Sequence, residues 1–325
     1  MLFHGIFYGP AKLKKTWLAS TAAEAGFNVL LLDMEKGAGI LKNLSAPARK
    51  RIYRIDAQNT KSRAVAAEFM VEFCKHPNMY WDEVAKKRVI RPNENSIQLN
   101  WNRFDKNTVV IVDSYSALVW SLAVRYSVEN KIDLSNALKP EWDGYGYCGR
   151  LATWVLEQLS LIPCHLIIIG HQQVYEKSKT VNKKRIVEWT RTQMTSVSGP
   201  HAMLIAKTFD DVFYFSMQGS TFYVDSSSQR DRDGGGRNIP PGRYKWDDLQ
   251  FKDICKYTNI QLPPQDLMPV TDLVKVEEIK QQPTSNLLTG GTANKPKTVV
   301  AKTGVKSSAI SLNKLSNKGD KSEQT

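Results

Sequence analysis

The segment LFHGIFYGPAKLKKT, residues 2–16, decides the fold. Residues 2–8 form a short apolar run that predicts a β-strand, and the Gly-Pro pair at positions 9 and 10 predicts a turn directly after it. From position 15 to position 25 the pattern is typical of a helix, which Gly26 ends. The segment is therefore a strand, a turn and a helix in immediate succession.

The turn matches most of a phosphate-binding pattern. In G-x-x-x-x-G-K-[ST], placed between a strand and a helix, backbone N–H groups hold phosphates. Gly9, Lys15 and Thr16 are in register with this pattern. We expect Lys15 to neutralise the β- and γ-phosphates of a nucleotide and Thr16 to bind Mg²⁺ through its hydroxyl. The predicted nucleotide-binding residues are Gly9, Pro10, Ala11, Lys12, Leu13, Lys14, Lys15, Thr16, Trp17 and, from a later strand, Asp113.

Lys14 stands where the pattern has its second glycine. A glycine there allows unusual dihedral angles and a close approach of the backbone to phosphate, so a lysine costs conformational strain. The lysine also adds a positive charge near the phosphates. Nucleotide binding can therefore survive while hydrolysis slows. The alternative is a chance strand–turn–helix with a basic first turn.

The rest of residues 1–260 alternates predicted strands with predicted helices. The segments 28–33 (NVLLLD), 108–113 (TVVIVD) and 164–170 (CHLIIIG) are continuous apolar runs, as expected for strands buried on both faces. The pattern is completed by a strand at 51–56, a hairpin at 211–224 and helices at 62–75, 115–130 and 149–161. Such alternation predicts a mostly parallel sheet with helices on both faces and ligand-binding loops at the carboxyl ends of its strands.

Three polar residues follow the apolar strands. Asp113 ends TVVIVD, where an acidic residue can hold Mg²⁺ through water; the alternative is a cap for the next helix. Glu35 follows NVLLLD, where a carboxylate can polarise an attacking water; the alternative is an exposed loop residue. His171 follows CHLIIIG, where a polar side chain can sense a γ-phosphate; the alternative is a structural histidine.

Together these segments resemble the RecA-like P-loop ATPase core. GPAKLKKT resembles its Walker A loop, LLLDMEKG the segment with its catalytic glutamate, TVVIVDSYSAL its Walker B strand and LIIIGHQQ its sensor strand. The resemblance covers about residues 1–255. It implies a three-layer α/β fold, ATP and Mg²⁺ as cofactors and Asp113 as a residue that holds Mg²⁺ through water. It also implies catalytic roles for Glu35, Lys15 and His171, with Gln172 as the alternative sensor.

Two further segments narrow the resemblance. WDGYGYCGRLATWVLEQL and FDDVFYF are similar to segments of the small phage-encoded RecA-like nucleotide-binding proteins. Some members of that group act in single-strand annealing and recombination. In RecA-like proteins the loop after the sensor strand contacts single-stranded DNA, which directs attention to the residues that follow His171.

Residues 172–199 are rich in cations, with Tyr175 and Trp189 interleaved. Cations bind the phosphate backbone of nucleic acid, and aromatic rings stack on its bases. The alternative is a solvated β-hairpin with Trp189 packed against the body. The predicted DNA-binding residues are Lys177, Lys179, Lys183, Lys184, Arg185 and Arg191.

A polar loop at 229–237 carries Arg230 and Arg232. Arginines that reach a neighbouring subunit's γ-phosphate stabilise transition-state charge, so both are candidates for such a trans role. The alternative is a set of Arg–Asp pairs on a surface loop.

Composition restricts the class of protein, its compartment and its partners. The 325-residue chain has a net charge of +13, which suits a polyanionic partner, and its 42% hydrophobic content excludes a wholly disordered chain. No apolar run is long enough to span a membrane. Four cysteines without CxxC spacing and an N-terminus unlike a signal peptide predict a cytoplasmic protein, in the host cytoplasm if it is viral. Residues 281–325 are expected to form a disordered basic tail after a linker at 261–280.

The sequence thus predicts an ATP-binding, single-strand-DNA-dependent ATPase of phage-type recombination, annealing or repair. The alternative is a non-hydrolysing nucleotide-dependent switch or a DNA-binding scaffold on a degenerate P-loop fold. Expected partners are single-stranded DNA, further copies of the chain in a homo-oligomer and a single-strand binding protein, without a membrane partner.

Overall fold

The structure is a computed structural model that describes residues 1–60, 62–132, 142–181, 184–228, 232–245, 249–267 and 274. The predicted tail lies outside these residues, and the predicted domain boundaries stay predictions. The strands are His4–Gly9 (β1), Asn28–Asp33 (β2), Ile52–Asp56 (β3), Asn78–Asp82 (β4), Lys87–Val89 (β5), Ser96–Asn100 (β6), Thr108–Asp113 (β7), His165–Val181 (β8), Lys184–Met194 (β9), Asp211–Gln218 (β10), Thr221–Asp225 (β11), Gly235–Gly236 (β12) and Arg243–Lys245 (β13).

Helices alternate with these strands. They are Lys15–Ser20 (α1), Ala46–Lys50 (α2), Val65–Lys75 (α3), Tyr115–Glu129 (α4), Trp142–Ser160 (α5), Gly199–Thr208 (α6) and Phe251–Tyr257 (α7), with 3₁₀ helices at Gly37–Asn43 and Trp101–Arg103.

The main sheet has the strand order β13-β11-β10-β1-β8-β7-β2-β3. Strands β10, β1, β8, β7, β2 and β3 run parallel to one another, while β11, β12 and β13 pair antiparallel at one edge. The mostly parallel sheet is therefore confirmed. Its order places β8 between β1 and β7. The carboxyl ends of β1, β7 and β2 therefore lie at one edge of the sheet, where β8 passes with His171 opposite Gly9.

Both faces of the sheet are buried, as the continuous apolar runs predict. On β7, Val110 and Val112 face the layer of α3, α4 and α5, whereas Val109 and Ile111 face the layer of α1 and α7. Alternation of side chains along a strand requires this division when both faces are covered. The predicted three-layer α/β fold is confirmed.

Some elements differ from the sequence-based expectation. Helix α1 ends at Ser20, and turns lead on to Gly26. Strand β8 continues past Gly170 to Val181 and forms an antiparallel hairpin with β9. The backbone of residues 172–194 is thus a β-hairpin, as in the alternative interpretation of that segment. The three-stranded sheet β5-β4-β6 and helix α6 were not expected.

Two observations concern the composition-based expectations. All four cysteines are buried and carry free thiols. Within the described part of the chain, no helix is long and apolar enough to cross a membrane.

Candidate functional site

The loop between β1 and α1 requires glycine at its first position. Gly9 has a φ of +148°, and a Cβ there would lie 2.3 Å from the main-chain oxygen of Phe215 on β10. The neighbouring strand thus passes too close for any side chain. Lys12 and Lys14 adopt left-handed φ angles of 63° and 59°. The position of the missing second glycine is therefore one that glycine favours, as the sequence indicates.

Lys14 is held by an aromatic side chain. Its ammonium lies 5.0 Å from the centroid of the Phe222 ring on β11. A left-handed conformation costs a non-glycine residue about 1–2 kcal/mol, and an exposed cation–π contact contributes about 0.5–1 kcal/mol. The contact with Phe222 therefore offsets part of the strain, which explains how a lysine is accommodated in this loop.

Lys15 is the charged centre of the loop. Its side chain is almost fully buried, and Nζ donates hydrogen bonds to the carbonyl oxygens of Gly9 (3.1 Å) and Pro10 (2.6 Å). Burial lowers the pKa of Lys15 to about 8, although Asp113 and Glu35 oppose this shift. The ammonium is thus still the main form at neutral pH. A buried cation at a helix N-terminus favours an anionic ligand such as a phosphate.

Thr16 and Asp113 form an oxygen pair beside the loop. Thr16 Oγ1 donates a 2.8 Å hydrogen bond to Asp113 Oδ2, and burial raises the pKa of Asp113 to about 6. A Cβ on Gly37 would lie 2.8 Å from the same carboxylate oxygen, so Gly37 lines this pair closely. Mg²⁺ typically binds one or two protein oxygens together with waters and substrate phosphates. Thr16 and Asp113 fit such an ion.

A larger metal centre has no counterpart among the described residues, where no group of three or more His, Cys, Asp or Glu side chains is placed to hold a metal ion.

Glu35 lies between two hydrogen-bond donors. Ser114 Oγ donates to Glu35 Oε1 at 2.5 Å, and His171 Nε2 lies 2.8 Å from Glu35 Oε2. Burial alone would raise the pKa of Glu35, but the hydrogen bonds from His171 and Ser114 outweigh it and leave the pKa below its ordinary value. Glu35 is therefore a carboxylate at neutral pH. The structure thus brings three predicted elements of the site, the LLLDMEKG turn, the Walker B strand and the sensor strand, into direct contact.

These groups surround one cavity of about 550 Å³ at the carboxyl edge of the sheet. Its walls include residues 11–17, Glu35, Asp113 and His171. The volume lies within the range of small-ligand pockets. Sequence reasoning missed Lys36, Gly37 and Ile40 in the same walls. Their signal was their place directly after a buried strand, where a sheet of this kind binds its ligand.

The predicted DNA-binding residues other than Lys183 lie on the hairpin of β8 and β9. Lys177 is opposite Trp189, and Arg185 is opposite Thr180, in the backbone register. Lys177, Lys179, Lys184 and Arg185 are described by their backbone alone, and Lys183 lies outside the described residues.

Arg191 is engaged within the chain. Its guanidinium forms an ion pair with Asp233, and the same carboxylate accepts a 2.8 Å hydrogen bond from the Gln193 amide. The Tyr175 hydroxyl is also directed inward, because it accepts a 3.1 Å hydrogen bond from the main-chain N–H of Ser196. The DNA-binding assignment of Arg191 stays a prediction, and DNA would have to compete with Asp233 for it.

Arg232 is likewise engaged within its own chain. It is 17% exposed, lies 3.6 Å from an Asp225 carboxylate oxygen, and its guanidinium stacks 4.7 Å from the Tyr214 ring centroid. Arg230 lies outside the described residues. A trans role for Arg232 would require it to leave Asp225 and Tyr214, so it stays a prediction.

Comparison with known proteins identifies the family. The model of the AAA domain family matches residues 4–239, a region that spans β1 through the loop after β12. The chain belongs to the AAA domain family. This is a nucleotide-binding ATPase domain. Such domains generally bind ATP with Mg²⁺.

The chain was also compared with solved structures and with curated protein sequences. A crystal structure of the RadB recombinase is similar to this chain with a TM-score of 0.35 and 14% sequence identity, over 71% of this chain and 84% of that one. No curated protein matches the chain in sequence.

Proposed function

We propose that this protein is a single-strand-DNA-dependent ATPase that acts in phage-type DNA recombination, single-strand annealing or repair. One observation carries the proposal. Glu35, the candidate catalytic base, is hydrogen-bonded to His171, and His171 lies where β8 leaves the sheet and enters the basic hairpin. Strand β8 therefore carries both the histidine that contacts the candidate base and the outer half of the basic hairpin.

The phosphate loop supplies the binding energy in this proposal. The Lys15 ammonium and the main-chain N–H groups of residues 9–16, except Pro10, which has none, hold the β- and γ-phosphates. Burial of Lys15 strengthens that attraction because the local dielectric is low. Thr16 and Asp113 would hold Mg²⁺. When bound, that ion neutralises charge on the phosphate oxygens.

Glu35 orients the attacking water and accepts its proton. The lowered pKa of Glu35 keeps it ionised, and the hydrogen bonds from Ser114 and His171 hold its carboxylate at the cavity wall. His171 takes one of the two lone pairs of Oε2, so a water that binds this oxygen has to lie beside the histidine ring. Access of the base to water therefore depends on the position of His171.

The hairpin couples this contact to DNA. A ligand that draws β8 outward moves His171 relative to Glu35, since His171 and the outer half of the hairpin belong to one continuous strand and His171 is hydrogen-bonded to Glu35. The net charge of +13 and the cations of the hairpin favour a polyanion as that ligand. DNA binding would then release Glu35 for catalysis. Assembly into a homo-oligomer, with Arg232 reaching a neighbouring site, and contact with a single-strand binding protein are part of the same proposal.

A non-hydrolysing switch is the second candidate function. Both carboxylate oxygens of Glu35 are hydrogen-bonded, and Lys14 replaces the glycine that the phosphate loop favours. A site in this arrangement binds nucleotide without activating water.

Phosphate release from MgATP, with and without a single-stranded oligonucleotide, distinguishes these functions. In the wild type we expect release that DNA stimulates, and in Glu35→Ala a loss of roughly 100-fold or more, the typical size of general-base catalysis. Glu94→Ala is the matched control, because Glu94 is exposed on the loop between β5 and β6. ATP binding without release by the wild type would favour the switch. Release that DNA leaves unchanged would overturn the coupling through His171.

A further inference from the structure

Asp33 is a buried carboxylate at the carboxyl end of β2, directly before the catalytic turn. Its side chain has no exposed surface. Oδ1 accepts hydrogen bonds from the main-chain N–H groups of Glu35 (3.1 Å) and Gly37 (3.2 Å). Oδ2 accepts a 2.8 Å hydrogen bond from Arg54 Nε and lies 2.7 Å from Nη2 of the same guanidinium in an ion pair. Both oxygens are therefore occupied, and each serves a different partner.

The two amides that Asp33 holds belong to residues that define the site. Glu35 carries the candidate base, and Gly37 packs so closely on Asp113 that a Cβ would lie 2.8 Å from its Oδ2. The same turn is tied to β7 by a 2.6 Å hydrogen bond from the Met34 N–H to the Asp113 carbonyl. Asp33 thus anchors the turn from within β2, and this turn is the link between the base and the magnesium pair.

We infer that Asp33 is a positioning residue, which sets where the Glu35 carboxylate stands relative to Thr16 and Asp113. The inference rests on the proposed hydrolytic function of Glu35. Arg54 makes the arrangement possible, because a fully buried carboxylate without a countercharge would be very costly. Its guanidinium comes from β3, the neighbouring strand, so the edge strand of the parallel sheet contributes to the site without lining it.

The neighbouring strand also offers a matched control. Asp56 ends β3 directly opposite Asp33 in the parallel register, and its Oδ1 accepts a 3.2 Å hydrogen bond from the Gln58 N–H. It therefore caps a turn of the same kind, but that turn lies outside the walls of the nucleotide cavity. Removal of either carboxylate disturbs one turn after a parallel strand, and only Asp33 connects with Glu35.

The experiment compares wild type, Asp33→Ala, Asp33→Asn and Asp56→Ala. It measures kcat and KM for MgATP in the presence of DNA, and the hydrogen exchange of the Glu35 and Gly37 amides. We expect Asp33→Ala to lower kcat at least tenfold with KM within about threefold, since a displacement near 1 Å can cost ~10²-fold. Asp33→Asn keeps an oxygen for the two amides and should recover part of kcat. Asp56→Ala should match the wild type.

Each outcome decides the inference. Unchanged kcat in Asp33→Ala, or a loss that Asp56→Ala shares, would overturn it while the hydrolytic function stands. If the wild type itself releases no phosphate, the hydrolytic function fails and exchange becomes the deciding measurement. Faster exchange of the Glu35 and Gly37 amides in Asp33→Ala then supports the positioning role, and unchanged protection overturns it.

Discussion

Two histidines on one strand show how differently the two edges of the sheet are built. His165 begins β8 at the amino edge, and His171 lies six residues later at the carboxyl edge. Nδ1 of His165 accepts a hydrogen bond from the Phe3 N–H (2.9 Å), and Nε2 donates to the Lys106 carbonyl (2.8 Å). The ring also packs edge-on against Phe27. His171 bonds Glu35 through Nε2, while its buried Nδ1 has no hydrogen-bond partner within the described part of the chain.

The contacts of the two histidines distinguish an amino edge that is structural from a carboxyl edge that carries the candidate site. At the amino edge every polar atom of the histidine is used to hold the fold, and burial lowers the pKa of His165 to about 4, so the ring is neutral. At the carboxyl edge Lys15, Glu35 and His171 form contacts that a ligand can replace. A buried polar group without a partner costs free energy, and such groups concentrate where function requires them. The two edges should therefore respond oppositely to substitution.

The largest expected effect is at the carboxyl edge. Lys15→Ala should weaken ATP binding by roughly 100-fold or more, because it removes a buried, charge-assisted contact to phosphate. Lys106→Ala is the control at the amino edge, since the Lys106 side chain is exposed and only its carbonyl is bonded. Calorimetric titration with MgATP measures both. Similar affinities for the two variants would contradict the assignment of the phosphate loop.

The next effect is at the amino edge and concerns stability. His165→Ala should cost about 2–4 kcal/mol of unfolding free energy at pH 7, since it leaves the Phe3 N–H buried and unpaired, and should leave ATP affinity unchanged. Denaturant unfolding measures the loss, with His76→Ala as the control, because His76 follows α3 with a half-exposed ring. A weaker ATP affinity in His165→Ala would contradict a purely structural role for His165.

The lowered pKa of His165 predicts that the free energy of unfolding falls as the pH falls. The unfolded state binds a proton near pH 6.5 and the folded state only near pH 4, so the stabilisation is complete above 6.5 and is lost as the pH falls to 4. The loss amounts to at most about 3 kcal/mol. His165→Ala should therefore lose less stability than the wild type between pH 7 and pH 4.5. Equal losses would show that other groups dominate acid unfolding.

The smallest effect is expected at His171. His171→Ala should free Glu35 without DNA, so the ratio of phosphate release with DNA to release without it should fall about tenfold. Stability should change by less than about 1 kcal/mol, because the ring is partly exposed and its Nδ1 has no partner among the described residues. His171→Gln retains a hydrogen-bond donor for Glu35 and should keep most of the stimulation. Paired measurements of release and denaturant unfolding decide this. A stability loss like that of His165→Ala would make both histidines structural.

Local patterns predicted most of the elements that position the site. The apolar runs at 28–33 and 108–113 coincide with β2 and β7, because strands buried on both faces need uninterrupted apolar residues. The β4–β6 sheet was missed, since its strands are short and mix polar residues with the few that turn inward, such as Trp81. The full length of β8 was missed for a similar reason. Its outer half has no apolar run, and pairing with β9 alone defines it as a strand.

The sequence by itself predicted the strands of the parallel sheet and the helices between them, a candidate phosphate loop and the polar residues at the strand ends, because each depends on neighbours in the chain. Only the tertiary structure decided that β8 lies between β1 and β7, which brings His171 onto Glu35 across 136 positions of sequence. It also decided that Phe222 supports Lys14 and that Arg54 supports Asp33. Strand order follows from how the helices cover both faces of the sheet, and no local periodicity records that.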